Sequence, residues 1–300
     1  MARHNEVTMY GQVSSAPKIY TDKPGQPDAK KIQVICTVAV IRGIRDFGAK
    51  DHRVKMDNPI VLSQNAKVMK QMAKWEIGDM VLIRGTLASH DYTKHCTCKN
   101  EECHDEEGRH SDISFNETLC YVNPVFTEVL AKGLDPSEGT KNMRERSEIS
   151  NRVTIIGKAS NEPEIYTTEQ GQRITNYVLD VPRKYRIKED DDSNRHDFLI
   201  IKSYGKIADM DHLHIKKDGH VFVDGAIQVR EYPKELACPY CGTVHNILRT
   251  VTEVIPYSTE YGVGCRTDEE MEEFQTQNSA AGAGDVKDDL FSDNSETSET

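Results

Sequence analysis

A stretch of sixteen residues near the start of the chain is written again in its second half. NEVTMYGQVSSAPKIY begins at Asn5 and NRVTIIGKASNEPEIY begins at Asn151, and eight of the sixteen positions are identical. The second copy starts 146 residues after the first, whereas the repeats of solenoid proteins are only roughly 20 to 50 residues long. The repeating unit is therefore predicted to be a whole small domain.

The rest of each copy agrees in order. VAVIRGIR from Val38 aligns with LDVPRKYR from Leu179, and VLIRGTLASHDYTK from Val81 aligns with VFVDGAIQVREYPK from Val221. Only the gaps between these segments differ in length, as loops on a shared scaffold do. We predict a first domain over 1–131, a linker over 132–150, a second domain over 151–258 and a tail over 259–300.

Charge is concentrated at the end of the chain. The net charge is −11, and residues 266–300 hold eleven Asp or Glu against Arg266 and Lys287. The two domains are therefore nearly neutral, so the acidic total does not exclude a nucleic-acid partner, although an acidic protein with no such partner stays an alternative. High charge with few apolar residues predicts a disordered tail.

The strand pattern is the same in both copies. Each opens with alternating apolar and polar residues, from Val7 to Val13 in the first copy, which indicates a strand. Two further β-rich runs, a short helix with Val68, Met72 and Trp75 on one face, and two more strands follow. This order is that of the five-stranded Greek-key barrel called the OB-fold. We predict a mainly β protein with two tandem OB-folds; a generic α+β domain is the alternative.

The sequence lacks the common signals for membrane insertion, export and catalysis. The sequence has no apolar run of transmembrane length and no apolar segment near its N-terminus, so we expect a cytoplasmic protein in a reducing setting. It contains no Walker-type glycine loop and no nucleophile elbow. We therefore expect a protein that is not an enzyme.

The first copy groups its cysteines as metal ligands are grouped. Four lie within twenty-five residues, in an insertion over 95–120 that follows the fourth strand: Cys96, Cys98, Cys103 and Cys120. In a reducing compartment such thiols are more often metal ligands than disulfides. We predict a structural Zn²⁺ site here, with Cys120 and His110 as competing fourth ligands.

The second copy has a shorter insertion at the corresponding place. Cys238 and Cys241 form a C-x-x-C pair, and His245 and Cys265 are the candidates to complete a site. A second zinc and a metal-free remnant both remain open. A redox pair is a further alternative, although such pairs usually lie in βαβ units.

The residues resemble the single-stranded DNA-binding protein family of bacteria and their phages, in tandem form with metal-binding insertions. The resemblance rests on NRVTIIGKASNEPEIY, LDVPRKYR, DFLIIKSYGKIAD and VFVDGAIQVREY in the second copy, and on NEVTMYGQVSSAPKIY, VAVIRGIR and VLIRGTLASHDY in the first. It implies sequence-independent binding of single-stranded DNA in replication, recombination or repair. It also implies a cleft across strands two and three, in which bases stack on aromatic side chains.

The family's stacking positions are all aromatic in the second copy: Tyr185, Phe198, Tyr204 and Tyr232. In the first copy the same positions are Ile44, Asn58, Gln64 and Tyr92, and Tyr20 and Tyr166 are added as candidates from the repeated stretch. Stacking contributes about 1 to 3 kcal/mol per base without reading sequence. The second copy is expected to bind more strongly, so substitution of Tyr185 and Tyr204 should weaken binding more than substitution of Tyr92 and Tyr20.

Cations near the expected cleft are candidates for phosphate contacts: Arg42, Arg45, Arg183, Lys184, Arg186, Lys202, Lys206 and Arg230. Arg42 and Arg45 recur at the matching positions Arg183 and Arg186. Contacts of this kind release counterions, so affinity is expected to fall steeply with salt.

The tail is the expected partner-recruiting segment. Asp288, Asp289, Leu290 and Phe291 place an acidic pair beside two large apolar residues, although Phe291 lies nine residues before the end. Replication or repair proteins are the expected partners, and a homodimer would bring four OB-folds together. The alternatives are an RNA-binding protein, a protein-interaction scaffold and a metal-dependent nuclease.

Overall fold

The computed structural model describes residues 4–26, 29–42, 55–104, 108, 112–183 and 196–281. The first repeat contributes β1 (Asn5–Val13), β2 (Lys18–Thr21), β3 (Lys31–Ile41), β4 (Met56–Asp57), β5 (Ile60–Ser63), α1 (Ala66–Met72), β6 (Met80–Thr97) and β7 (Asp112–Ala131). The connection contributes α2 (Pro136–Glu145) and α3 (Ser147–Ser150). The second repeat contributes β8 (Asn151–Ala159), β9 (Glu164–Thr167), β10 (Arg173–Pro182), β11 (His196–Tyr204), α4 (Gly205–His214), β12 (His220–Ala237), β13 (Val244–Tyr261) and α5 (Asp268–Ala281).

Each repeat closes into the predicted five-stranded barrel. In the first, β1 pairs with β3 and β6, β3 pairs with β5, and β6 pairs with β7. The parallel pairing of β5 with β7, at Val61 and Val122, closes the ring. The second repeat repeats this order with β8, β10, β11, β13 and β12, closed by the parallel pairing of Ile201 with Val254. The mainly β, tandem OB-fold prediction is confirmed.

The two barrels are joined through their first strands. β1 and β8 pair antiparallel, with Val7 opposite Val153. These two valines are equivalent in the repeat, so a pseudo-twofold axis passes between them. Both are fully buried in one apolar cluster that extends through both barrels.

Glycines permit the strong bend of the fourth strand in each barrel. The register of β6 shifts between Arg84 and Gly85, and that of β12 shifts between Asp224 and Gly225. A Cβ at either glycine would collide with the carbonyl oxygen of the paired strand, Asn123 in one repeat and Ile255 in the other. The bulges are therefore built at these positions because only glycine fits there.

Helices complete each repeat and the connection. Asn65 caps α1 by accepting from the amides of Lys67 and Val68, and the helix buries Val68, Met69 and Met72. Its counterpart α4, expected to be the weaker helix, is the longer of the two. The connection over 132–150 differs from the expected irregular linker, since it contains α2 and α3; Asp135 caps α2 by accepting from the amides of Ser137 and Glu138.

The last two strands of each repeat extend well beyond the barrel as paired arms. Arm one consists of the strand segments 88–97 and 112–121 with the connection between them as its tip. Arm two consists of the strand segments 228–237 and 244–253, again with the connection between them as its tip. Pairing continues out to Thr97 opposite Asp112 and to Ala237 opposite Val244. Residues 95–97 and 112–120 of the first insertion are thus regular strand, and Cys98 and Cys103 lie beyond the strand ends.

The second repeat extends further than the predicted boundary at residue 258. β13 runs to Tyr261, and α5 packs on α4 through the rings of Phe274 and His212, 5.2 Å apart. Lys216 and Glu270 form an ion pair of 2.6 Å between the same two regions. The docking residues Asp288, Asp289, Leu290 and Phe291 lie outside the described residues. In the described part of the chain, no helix is long and apolar enough to cross a membrane.

Candidate nucleic-acid interface and metal site

The outward side of β9, β10 and β11 is the surface on which the sequence had placed stacking. Leu199, Ile201 and Ser203 of β11 point into the barrel and are buried, so the alternate residues point outward. We call this surface the β11 face; its members are Tyr166, Ile174, Asn176, Phe198, Ile200, Lys202 and Tyr204.

Cross-strand register sets the order of side chains on the β11 face. Ile174 lies opposite Tyr166 on one side and Tyr204 on the other, so two aromatic side chains flank one aliphatic side chain in a single row. Phe198 lies two rows beyond Lys202, and 44% of Phe198 is exposed. The ring of Phe198 is therefore accessible for stacking on a base.

The same rows are poorer in aromatic residues in the first repeat. Tyr20 lies opposite Gln33, whose side chain accepts a hydrogen bond from Gln64 at 3.2 Å. Leu62 stands where the second repeat has Lys202, and it is buried with Ala88 and Tyr121. Asn58, at the position of Phe198, is exposed. The first repeat therefore offers Tyr20 as the one aromatic side chain in that row.

The recurring arginines hold the two repeats together. Arg42 forms an ion pair with Asp57 at 2.6 Å and contacts the Gln228 side chain of the other repeat. Arg183 forms the equivalent pair with Asp197 at 2.6 Å. Both carboxylates are at least 98% buried. The recurrence of Arg42 at the position of Arg183 is thus accounted for by ion pairing inside the protein.

The two carboxylates in these pairs reach across to the opposite repeat. Asp197 accepts from the amide of Ser89 at 2.8 Å, and Asp57 accepts from the amide of Val229 at 2.9 Å. Ser89 and Val229 are equivalent positions at the bases of the two arms. Each repeat therefore holds the base of the other repeat's arm in the same way.

The remaining predicted cations are found in different settings. Lys202 is only 2% exposed, and its ammonium lies 5.7 Å from the ring of Tyr204. Arg230 donates to both carboxylate oxygens of Glu253, at 2.9 and 2.6 Å. Lys206 is exposed on α4. Four further candidates lie outside the described residues: Arg45, Lys184, Tyr185 and Arg186.

Tyr92 and Tyr232, both predicted to stack on bases, occupy equivalent positions at a junction of the arms. Tyr92 donates to Glu117 at 2.7 Å, and Arg249 of the other arm donates to the second oxygen of Glu117 at 2.7 Å. The Arg249 guanidinium lies 5.9 Å from the ring of Tyr232. Burial opposes ionisation of Glu117, but the hydrogen bonds from Tyr92 and Arg249 outweigh it and lower the pKa of Glu117.

Four cysteines meet at the tips of the arms, two from each repeat. The sulfurs of Cys98 and Cys241 are 3.7 Å apart, as are those of Cys103 and Cys238. All four sulfurs lie within 4.8 Å of one another. This cluster can hold a metal ion, and its soft thiolate ligands are of the kind that zinc sites use.

The grouping differs from the predicted set of Cys96, Cys98, Cys103 and Cys120. Cys96 lies within β6 and packs beside the cluster without joining it, whereas Cys98 follows the last residue of that strand. Cys120 faces the barrel core, where burial raises the pKa of its thiol to about 12. Cys36 is buried in the core, as expected.

Two neighbours modify the cluster. The Thr243 hydroxyl and amide hydrogen bond to Cys241 and lower the pKa of its thiol to about 6. Nε2 of His245, a buried side chain, lies 3.4 Å from the sulfur of Cys98. His245 thus stands beside the ligand set, while Cys265 lies elsewhere and donates to the carbonyl of His220. His110 is outside the described residues.

Comparison with known proteins identifies the second repeat. Residues 150–238 match the model of the single-strand binding protein family. The second repeat is therefore similar to domains of the single-strand binding protein family. The matched region begins at residue 150, the last residue of the predicted linker, and covers β8 through β12.

Relatives and solved structures agree with this assignment. The chain is 29% identical over 82 residues to single-stranded DNA-binding protein 1 of Chlorobaculum tepidum, and 32% identical over 83 residues to the single-stranded DNA-binding protein of Clostridium tetani. These matches span 27% of this chain and about half of each relative, 51% and 55%. The fold is similar to that of the single-stranded DNA-binding protein from Thermus aquaticus, with a TM-score of 0.55 and 14% identity, over 89% of this chain and 97% of that one.

Sequence reasoning missed the contacts between the repeats. Asp57 and Asp197 recur at matching positions just as their arginine partners do, and this paired recurrence was the signal available for the ion pairs. Glu117 and Arg249 occupy equivalent positions of the two repeats. Because these positions differ in charge instead of recurring, the repeat gave no indication that the two side chains pair.

Proposed function

We propose that the chain binds single-stranded DNA, with little dependence on base sequence, through the β11 face of the second repeat. The observation that carries the proposal is the row of Tyr166, Ile174 and Tyr204, together with the exposed ring of Phe198 three rows further along the same face. Each base has a π face, so such a surface binds a strand whatever its sequence. Residues 150–238, which contain this face, also match the family model.

Phosphate contacts are proposed for fewer residues than the sequence suggested. Lys206 is exposed next to the end of β11, and Arg45, Lys184 and Arg186 remain candidates. Arg42, Arg183 and Arg230 already pair with carboxylates, so their charge is largely neutralised in the fold. We therefore expect base stacking and these phosphate contacts to contribute to the affinity together.

We propose Zn²⁺ as the ion of the cysteine cluster and assign it a structural role. Four thiolates complete a tetrahedral shell and leave no position for an activated water. This ligand set therefore favours a stabilising ion over the nuclease alternative, and we assign no reaction to the chain. The acidic tail is proposed to recruit replication or repair proteins through Asp288, Asp289, Leu290 and Phe291.

Fluorescence anisotropy with a labelled thymine homopolymer tests the proposal. We expect tight binding that weakens steeply as NaCl rises, with much weaker binding of a duplex of the same length. A uridine homopolymer measured in parallel separates DNA from RNA preference. Absence of binding to either single strand at low salt would contradict the proposal and leave the protein-interaction scaffold, to be tested with protein partners.

A further inference from the structure

We infer that one metal ion, bound by Cys98 and Cys103 of arm one together with Cys238 and Cys241 of arm two, clamps the two repeats to each other. The ion would be shared two and two, so neither repeat holds a complete site. This inference concerns the cysteine cluster alone and does not depend on DNA binding.

The sulfur positions fit a tetrahedral ion. With zinc–sulfur bonds of about 2.3 Å, the edge of a regular tetrahedron of sulfurs is about 3.8 Å. The two cross-repeat pairs, Cys98 with Cys241 and Cys103 with Cys238, are each separated by 3.7 Å. Sulfurs in a disulfide would instead be about 2.05 Å apart. The spacing is therefore that of thiolates around a common centre.

Among the described residues of the tips, the apolar cluster is small. It consists of Cys96, Cys98, Cys103 and Cys238 with Ile113 from arm one and Leu236 from arm two. A core of this size cannot order two strand ends in water, which is the situation in which small domains depend on a metal.

Other cross-repeat contacts align the arms below the tip. The bases are held by the amide hydrogen bonds of Ser89 to Asp197 and of Val229 to Asp57. Half-way out, Glu117 and Arg249 form an ion pair whose side chains are 8% and 19% exposed. The cysteine cluster is the third contact in this series, and it lies furthest from the barrels. Loss of the ion is therefore expected to free both tips while the β1–β8 junction stays intact.

Metal content of paired cysteine variants tests the clamp in the full chain. We expect about one zinc per wild-type chain by elemental mass spectrometry. Both Cys98→Ser with Cys103→Ser and Cys238→Ser with Cys241→Ser should abolish zinc binding, because each removes half of the shared site. The matched control, Cys96→Ser with Cys120→Ser, should retain the ion.

Several outcomes would overturn the inference. If each repeat held its own ion, wild type would contain two ions, and each arm's double variant would keep one. If the first repeat alone held the ion, the Cys96 and Cys120 double variant would lose it, while the Cys238 and Cys241 variant would not. A wild-type chain that binds no zinc when supplied with it would also contradict the clamp.

Hydrogen exchange provides a second readout that is independent of metal analysis. In the Cys98 and Cys103 double variant, amides of the untouched arm, in segments 231–237 and 244–250, should exchange faster, by the same amount as in wild type treated with a chelator. Exchange in β1 and β8 should not change, which also establishes that the variant is folded. If the amides of arm two exchange at the wild-type rate in this variant, the ion does not join the two repeats.

Discussion

Equivalent positions of the two repeats carry side chains with different tasks. Where the second repeat has Phe198, Lys202 and Tyr204, the first has Asn58, Leu62 and Gln64. The barrel fold is the same in both repeats, and these three positions lie on its outward face. Outward positions of a strand can change without disturbing the barrel core, which allowed one copy to keep an aromatic face and the other to lose it.

Phe198→Ala should weaken binding of a thymine homopolymer without unfolding the protein. Loss of one stacking side chain costs about 1 to 3 kcal/mol, which is roughly a five- to 150-fold rise in Kd. Fluorescence anisotropy at fixed salt measures the change. Phe126→Ala is the matched control, because Phe126 is similarly exposed (46%) but lies on β7 of the first repeat. Equal losses for the two variants would argue against the β11 face.

Asp57→Ala and Asp197→Ala should each destabilise the fold, and by similar amounts. Each removes a buried carboxylate and leaves an arginine without its partner, which costs about 3 to 5 kcal/mol when the pair is buried. Urea unfolding followed by circular dichroism measures the loss. Asp209→Ala is the control, since Asp209 and Arg173 form an exposed pair and little change is expected. If the free energy of unfolding is unchanged in both Asp57→Ala and Asp197→Ala, these ion pairs do not hold the repeats together as described.

At the level of elements, the arms are the feature that distinguishes this chain from a plain pair of barrels. Their strands were visible in the sequence as the continuation of VLIRGTLASHDYTK and VFVDGAIQVREYPK. The contact between the two arms was not visible in the sequence, because it depends on the β1–β8 pairing, which brings the two hairpins side by side. The cysteine spacing within one copy could not indicate ligands shared between copies.

Gly85→Ala and Gly225→Ala should destabilise their barrels. A methyl group at either position would collide with a carbonyl oxygen of the paired strand, and overpacking of this kind costs about 1 to 3 kcal/mol. Thermal unfolding is the measurement. Gly262→Ala is a milder comparison, because its added Cβ would meet the His220 oxygen at 3.1 Å. A loss at Gly85 or Gly225 no larger than that at Gly262 would contradict the account of the bulges.

For the molecule as a whole, the repeat was the most informative feature of the sequence. It predicted the domain number, the strand order and which residues of the two repeats are equivalent. It did not predict that α2 and α3 fill the connection, or that α5 packs against the second barrel, because these segments have no counterpart in the other copy. The pseudo-twofold arrangement arises from the β1–β8 junction at Val7 and Val153.

Two truncations separate the packed end of the second repeat from the tail. A chain ending at Ala281 should keep the melting temperature of the full protein and bind DNA at least as well, because it lacks the acidic residues beyond that point. A chain ending at Ser258 should melt lower, since it loses the pairing of Tyr261 with Val221 and all contacts of α5. Equal melting temperatures for the two truncated chains would show that α5 contributes nothing to stability.

Photo-crosslinking to a thymine homopolymer, followed by mass spectrometry of the attached peptides, is the most direct test of the central claim. The account predicts that crosslinks concentrate on the β11 face, at Phe198, Tyr204 and Tyr166, with far fewer on the first repeat. Crosslinks that fall mainly on Tyr20 and the strands of the first repeat, or equally on both repeats, would contradict it.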